Sequence, residues 1–150
     1  MPTTRTALRR QETANPNDLY MSFELGDKQW KLCVGDGRNT VSRFTIAAGD
    51  RVAVTDCIVR AGKRFKTPEC AHLHACYEAG RDGWWLHRWL GELGVDNIVV
   101  DAASIEVNRR ARRAKTDRLD ADKLQTMLVR HHRGERVWSV SRTSAATARN

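Results

Sequence analysis

The sequence lacks the marks of a membrane protein or of a secreted, disulfide-stabilised protein. No apolar run approaches the roughly 20 residues that cross a bilayer as a helix. The first 18 residues are polar and contain no apolar segment like that of a signal peptide. The four cysteines do not follow the spacing of a secreted disulfide framework. These absences predict a cytoplasmic protein whose thiols are free, namely Cys33, Cys57, Cys70 and Cys76.

Positive charge, in contrast, is abundant. The 26 Lys and Arg residues outnumber the 18 Asp and Glu residues, which gives a formal net charge of +8. The cations are clustered, with ten Lys or Arg and only four acids between Arg109 and Arg136. Clustered cations favour a polyanionic partner such as nucleic acid. Simple solubility would give the same net charge, so charge alone leaves both explanations open.

The hydrophobic periodicity predicts one domain of strands and helices. Three early segments are separated by glycine-containing turns, and the second and third alternate apolar and polar residues, which is typical of an antiparallel meander. Strands that are joined through helices pair in parallel by right-handed crossovers. We therefore expect an α/β fold with a mixed five-stranded sheet and helices on its faces. The predicted strands are Leu19–Leu25, Gln29–Val34, Val41–Ile46, Ala71–Tyr77 and Asn97–Val100; the predicted helices begin at Asp50, span Trp84–Leu93 and extend from Thr116 to near His132.

The predicted domain covers residues 19–140. Residues 1–18 form a polar segment in which we expect a disordered tail. Residues 141–150 have the pattern of a linker or of the first turn of another helix. Because the sequence stops inside that helical pattern, we expect the chain to be the front part of a longer protein or an excised domain.

Two acids near the start of the last helix point to a metal site. Thr116 is a good N-cap, and a helix that starts there turns Asp117 and Asp120 toward its apolar side. Acids in a first helical turn commonly serve only the helix dipole. Two inward carboxylates would repel each other, however, and a divalent cation of the Mg²⁺ type removes that cost.

Two glutamates extend this acidic group. Glu24 lies near the end of the first strand, and Glu78 comes just after the fourth. If these two strands pair in parallel, their carboxyl ends are adjacent, and the last helix can pack across them. Four carboxylates suit two divalent ions about 4 Å apart that act on a phosphodiester. The predicted catalytic and metal-binding residues are Glu24, Glu78, Asp117 and Asp120, with Mg²⁺ or Mn²⁺ as cofactor.

A run of cations directly precedes Asp117. Its position next to the acids favours contact with nucleic-acid phosphates, although a solvated loop would have the same composition. The predicted nucleic-acid-binding residues are Arg109, Arg110, Arg112, Arg113, Lys115 and Arg118.

Several motifs resemble a known family. They are Tyr20–Leu25, Tyr77–Gly80, Trp84–Leu86, Val100–Ile105 and Arg109–Ala121. Together they resemble the RuvC-like, ribonuclease H-like N-terminal domain of the DEDD transposases of the insertion sequence 110 family. The pattern Lys-Thr-Asp-x-x-Asp-Ala from Lys115 is the most specific of them. The resemblance extends over roughly Leu19 to Val140.

The resemblance implies roles for the acids and for the whole protein. Glu78, Asp117 and Asp120 match the last three acids of the family's set, whereas Glu24 stands where aspartate is usual. The implied activity is metal-dependent cleavage and transfer of DNA strands by a transposase or recombinase. The family also implies a structured guide RNA, a C-terminal domain that bears a serine, and assembly into homo-oligomers.

Two other functions fit the same residues. One is a RuvC-like junction nuclease, which would cut branched DNA as this chain alone. The other is a non-catalytic remnant that binds nucleic acid through Arg109–Lys115, and the glutamate at position 24 favours it.

Other chemically suggestive residues have simpler explanations. Alternate residues of one strand, Cys70 to Glu78, suggest zinc, but neighbours on one strand face lie about 6.6 Å apart and cannot surround an ion. The tryptophans of the second helix could stack bases, yet their helical spacing favours a core side of Trp85, Leu86, Trp89, Leu90 and Leu93. We expect no catalytic role for Asp101, Asp122, His131 or His132.

Overall fold

The computed structural model describes residues 18–68, 70–80, 84–101 and 119–138. The predicted tail up to residue 17, the cations at 109–118 together with Asp117, and the predicted linker at 141–150 lie outside these residues. Within the described ranges, no helix is both long enough and apolar enough to cross a membrane. The strands are β1 Leu19–Leu25, β2 Gln29–Gly35, β3 Val41–Ala47, β4 Leu73–Glu78 and β5 Asp96–Val100; the helices are α1 Arg51–Phe65, α2 Trp85–Glu92 and α3 Ala121–His132.

The five strands form one mixed sheet in the order β3-β2-β1-β4-β5. The first three strands pair antiparallel as a meander, while β4 pairs in parallel with both β1 and β5. Strand β1 therefore occupies the centre. This arrangement confirms the predicted α/β fold with a mixed five-stranded sheet, and it agrees with a ribonuclease H-like fold.

Each face of the sheet packs on helices. Because side chains alternate along a strand, Met21 and Phe23 of β1 face the core shared with α1 and α2, whereas Tyr20 faces α3. All three are almost completely buried. Strand β1 is thus covered on both sides, as a central strand of an α/β sheet must be.

Helix α1 begins where the sequence predicts. Asp50 is its N-cap, and the Asp50 carboxylate accepts a hydrogen bond from the Ala53 N–H at 3.0 Å. The helix ends at a left-handed residue, Lys66 (φ 54°), whose N–H bonds back to the last turn. Val54, Cys57 and Ala61 are buried against the sheet, as the periodicity indicates.

The predicted start of the last helix is wrong. Leu119 and Asp120 are not helical, and α3 begins at Ala121 with Asp120 as its N-cap. The Asp120 backbone is extended (ψ 168°), and its carboxylate accepts from the Lys123 N–H at 2.8 Å. Aspartate is favoured at an N-cap at least as strongly as threonine, but Asp120 was not predicted to be the N-cap.

Helix α2 is shorter than predicted, and one of its expected core residues is outside the core. The helix ends at Glu92, and Leu93 follows it with 44% of its surface exposed. His87 is buried instead, and its Nδ1 accepts a hydrogen bond from Asn97 Nδ2 at 2.9 Å. The chain leaves the helix through Gly94, whose φ of 84° lies in the left-handed region.

Two leucines of this region provide a matched test of the core. Leu90→Ala should lower the free energy of unfolding by about 2–5 kcal/mol, because Leu90 is fully buried and its truncation leaves a cavity. Leu93→Ala should change it by less than about 0.5 kcal/mol, as expected for an exposed residue. Urea unfolding measures both values. Equal losses in the two variants would contradict this packing of α2.

Candidate metal-binding carboxylate site

Glu24 and Glu78 lie side by side at the carboxyl ends of the two central parallel strands. The register pairs Phe23 with Tyr77, so each glutamate is the next residue of its strand. Both follow the alternation that directs Tyr20 and Cys76 toward α3. The predicted adjacency of Glu24 and Glu78 is therefore present, on the face of the sheet that α3 covers.

Each glutamate carboxylate binds the backbone just ahead of α3. Glu24 Oε1 accepts a hydrogen bond from the Ala121 N–H at 3.2 Å, and Glu78 Oε1 accepts one from the Leu119 N–H at 3.3 Å. These amides flank Asp120. Hydrogen bonds to an ionised carboxylate are stronger than neutral ones, so the two glutamates hold the Asp120 segment against the ends of the strands.

Asp120 itself does not point inward. Its side chain is exposed and caps the helix, whereas the sequence prediction placed it on the buried face with Leu124. That prediction assumed that Asp120 is part of the helix. The backbone of an extended N-cap residue is not helical, so its side chain points in a different direction. Leu124 and Leu128 of the same predicted face are fully buried, as expected.

The two glutamates line one small pocket. Its walls are Phe23, Glu24, Leu25, Glu78, Ala79, Gly80 and Leu119. Among the described residues, Glu24, Glu78 and Asp120 do not bring three donor atoms within 4.8 Å of one another. Asp117, the fourth predicted acid, is outside the described ranges. All four side chains offer oxygen donors, and this donor set suits Mg²⁺ or Mn²⁺.

Two buried polar side chains missed by the sequence analysis fix α3 on β1. Ser22 Oγ donates to the Ala121 carbonyl at 2.7 Å, and Gln125 Nε2 donates to the Tyr20 carbonyl at 2.9 Å. Buried polar groups need such partners, since an unsatisfied one costs about 1–3 kcal/mol. A serine inside the apolar stretch of β1 was the available signal for this contact.

Asp122 lies on the exposed side of α3, as predicted. Its Oδ1 accepts from Cys33 Sγ at 2.9 Å and forms an ion pair with Arg43 Nε at 3.0 Å. The hydrogen bond from Cys33, followed by the Arg43 contact, lowers the pKa of Asp122. Burial, reinforced by Asp122, raises the pKa of the Cys33 thiol to about 12.

A basic cleft lies beside this ion pair, between the β2–β3 turn and α3. Its cations are Arg38, Arg43, Arg130 and Arg133. Arg130 pairs with Glu135, and Arg133 Nη2 donates to the Gly37 carbonyl at 2.8 Å. The cations predicted to contact nucleic acid are those at 109–118, and the arginines of this cleft were not among them.

Comparison with known proteins adds sequence relatives. No protein-family model matches the chain. It is 34% identical over 122 residues to y4rJ of Sinorhizobium fredii, and 35% identical over 116 residues to y4qE of the same organism; both are named as transposases. It is also 38% identical over 60 residues to the transposase of insertion sequence element IS1533 of Leptospira borgpetersenii.

The chain is similar to transposases. The matches cover 78%, 77% and 40% of this chain, in the same order. They cover 31%, 28% and 17% of the relatives. The chain thus spans less than a third of the length of these transposases.

The thiols should differ sharply in reactivity. Cys70 is exposed, whereas Cys33, Cys57 and Cys76 are buried. With a pKa of about 12, only about one Cys33 in 10⁴ is a thiolate at pH 8. Iodoacetamide at pH 8 should therefore add one label per native chain, at Cys70, and four labels in denaturant. Intact-mass and peptide analysis read the sites; labelling of Cys33 as fast as Cys70 would contradict the Cys33–Asp122 contact.

Proposed function

We propose that this chain is the metal-binding, RuvC-like domain of an insertion-sequence transposase of the DEDD type, which cleaves and transfers DNA strands. The observation that carries the proposal is the position of Glu24 and Glu78, side by side at the ends of β1 and β4 with the Asp120 segment bound to both. The similarity to transposases supports the same assignment.

The metal ligands in this proposal are Glu24, Glu78, Asp117 and Asp120. When bound, Mg²⁺ or Mn²⁺ supplies Lewis-acid stabilisation of charge on the scissile phosphate. A carboxylate has two oxygens with about four acceptor positions, so one backbone N–H leaves each glutamate able to bind a cation. Asp120 can contribute in the same way while it caps α3.

The protein's own groups position these ligands. Glu24 and Glu78 fix the amides on either side of Asp120, and Ser22 fixes the Ala121 carbonyl. These contacts fix the backbone on both sides of Asp120 beside Glu24 and Glu78. The longer arm of glutamate at position 24, compared with aspartate, allows its carboxylate to reach the Ala121 amide of α3.

Nucleic-acid binding in this proposal falls to the cations that precede Asp117. They are Arg109, Arg110, Arg112, Arg113, Lys115 and Arg118. A cationic segment next to an acid site would neutralise the phosphates that flank the scissile bond. The structured guide RNA, the serine-bearing C-terminal domain, the homo-oligomer and the cytoplasmic location belong to the same proposal.

One observation favours the non-catalytic alternative. In the described structure, Glu24 and Glu78 hold backbone amides, and Asp120 is exposed rather than turned toward them. In a remnant that only binds nucleic acid, the two glutamates would keep this structural role and hold no metal. Metal titration separates the two functions.

Glutamine variants separate metal binding from the backbone contacts. Glu24→Gln/Glu78→Gln keeps an oxygen acceptor for the Ala121 and Leu119 amides but removes both negative charges. Mn²⁺ affinity should fall at least tenfold, while the melting temperature should stay within a few degrees. Isothermal titration calorimetry and thermal melts of the whole chain measure the two effects.

Asp122→Asn is the matched control for this experiment. Asp122 is an exposed acid of the same helix that contacts Cys33 and Arg43 rather than the glutamates. Its loss should leave Mn²⁺ affinity unchanged. Failure of the wild-type chain to bind Mn²⁺, or an equal loss in the control, would favour the nucleic-acid-binding remnant.

Neutralising two arginines should weaken DNA binding and leave the metal site intact. Arg112→Gln/Arg113→Gln removes two phosphate contacts, so the slope of log K against log salt should fall by about 1.8. Fluorescence anisotropy with duplex DNA at several salt concentrations measures this slope. Arg60→Gln, an exposed arginine paired with Asp56 on α1, is the control and should not alter it. An equal fall in both variants would indicate a diffuse charge effect rather than a binding segment.

A further inference from the structure

A second group of potential metal ligands lies at the amino-terminal ends of the parallel strands, opposite the ends that carry Glu24 and Glu78. His74 is the second residue of β4, Asp96 is the first residue of β5, and His132 is the last residue of α3. One donor atom from each lies within 4.8 Å of the other two. We call these three residues the amino-edge cluster. Because His74 and Glu78 are four residues apart on one strand, the cluster is about 13 Å from the glutamate pair.

A carboxylate behind His74 fixes the state of its ring. His74 Nε2 lies 2.9 Å from Asp18 Oδ2, and a carboxylate only accepts hydrogen bonds, so Nε2 carries the proton. In the neutral ring, Nδ1 then keeps its lone pair. Asp18 is itself held, because its Oδ1 accepts from the His72 N–H at 3.2 Å. Histidines that bind a metal usually donate their other ring N–H to a carboxylate, a backbone carbonyl or water in this way.

The potential ligand atoms of the cluster lie close to one another. His74 Nδ1 is 3.5 Å from Asp96 Oδ2. Within the described part of the chain, His74 Nδ1 and His132 Nε2 are buried side-chain atoms without a hydrogen-bond partner. The two rings lie 4.1 Å apart, and Tyr20 stacks on His74 at 5.0 Å. His132 Nε2 has no partner and carries a desolvation cost that a bound cation would remove, and His74 Nδ1 has only the long contact with Asp96.

We propose that the amino-edge cluster binds a transition-metal ion of the Zn²⁺ class, with His74 Nδ1, Asp96 and His132 Nε2 as ligands. Zinc–nitrogen bonds of about 2.0–2.1 Å place the ligands of a tetrahedral site about 3.4 Å apart. The separation of 3.5 Å between His74 and Asp96 already matches that spacing. Water or an external group would complete the fourth position. This site is independent of the proposed transposase chemistry.

The alternate residues from Cys70 to Glu78 were not expected to surround a zinc ion, because they were predicted to lie on one strand. His74 from that strand can still be a ligand in the amino-edge cluster. Its donors come from two neighbouring strands and a helix, so they surround a point instead of lining one face. The ion would join the start of β4, the start of β5 and the end of α3. The alternative is that the cluster holds no metal. His74 would then be an imidazolium that pairs with Asp18 and Asp96, and the protonated ring would not bind zinc.

Zinc titration of the whole chain tests this site. Calorimetry should show one Zn²⁺ per wild-type chain, and Zn²⁺ should raise the melting temperature. Asp96→Asn and His132→Gln should each lower the affinity at least tenfold. The Asp96 side chain is 68% exposed, so its replacement by asparagine tests the site without removing buried packing. Circular dichroism checks that both variants fold.

Two control variants address other zinc ligands. Cys70→Ala/His72→Gln removes the exposed thiol and imidazole nearest in sequence, and Glu24→Gln/Glu78→Gln removes the glutamate pair. Both should retain the Zn²⁺ affinity and the rise in melting temperature. No stoichiometric Zn²⁺ binding in the wild type, or a loss in either control as large as in Asp96→Asn, would overturn the proposal.

Discussion

The placement of α3 on the central strands depends on backbone groups at its first turn finding partners in the sheet. The Ala121 N–H is bound by Glu24, the Ala121 carbonyl by Ser22, and the Leu119 N–H by Glu78. The Ala121 N–H has no partner within the helix itself, since the first turn leaves its N–H groups free, and Leu119 precedes the helix. Moving α3 by one residue would break all of these contacts at once, so the helix has a single register on β1 and β4.

Because of these contacts, the two glutamates can both support α3 and form a candidate metal site. A carboxylate beneath a helix N-terminus is stabilised by the backbone dipoles and needs no metal to be tolerated there. Oxygen-rich clusters at the carboxyl ends of parallel strands are equally suited to hard divalent ions. The structure therefore joins support of α3 and a candidate metal site in the same side chains, which is why glutamine substitution distinguishes the roles better than alanine.

The sequence predicted the sheet well because its local patterns were unambiguous. The alternation of Trp30, Leu32 and Val34 indicated one buried face, and all three lie in the core. Parallel pairing then implied the adjacency of Glu24 and Glu78. The predicted direction of the Asp120 side chain was wrong because Thr116 and Asp120 are both good N-caps, and only contacts with distant strands determine which of them is used.

Contacts between elements that are far apart along the chain could not be predicted from the sequence, for a related reason. His74, Asp96 and His132 each have an ordinary local setting, and nothing in their spacing indicates that they meet. Gln125 similarly follows no apolar pattern, yet it is buried and its Nε2 donates to the Tyr20 carbonyl. Such pairings follow from how strands and a helix are assembled, and a single sequence does not encode them in any short motif.

The separation of these partners along the chain also sets an order of folding. The meander of β1 to β3 closes through short turns, whereas Ser22 meets Ala121 across 99 positions and Tyr20 meets Gln125 across 105. Contacts between remote positions form slowly because the intervening chain must first be ordered. During synthesis the meander leaves the ribosome first, and the glutamates acquire the Asp120 segment only when α3 has emerged. The acid site is thus among the last parts of the described structure to be assembled.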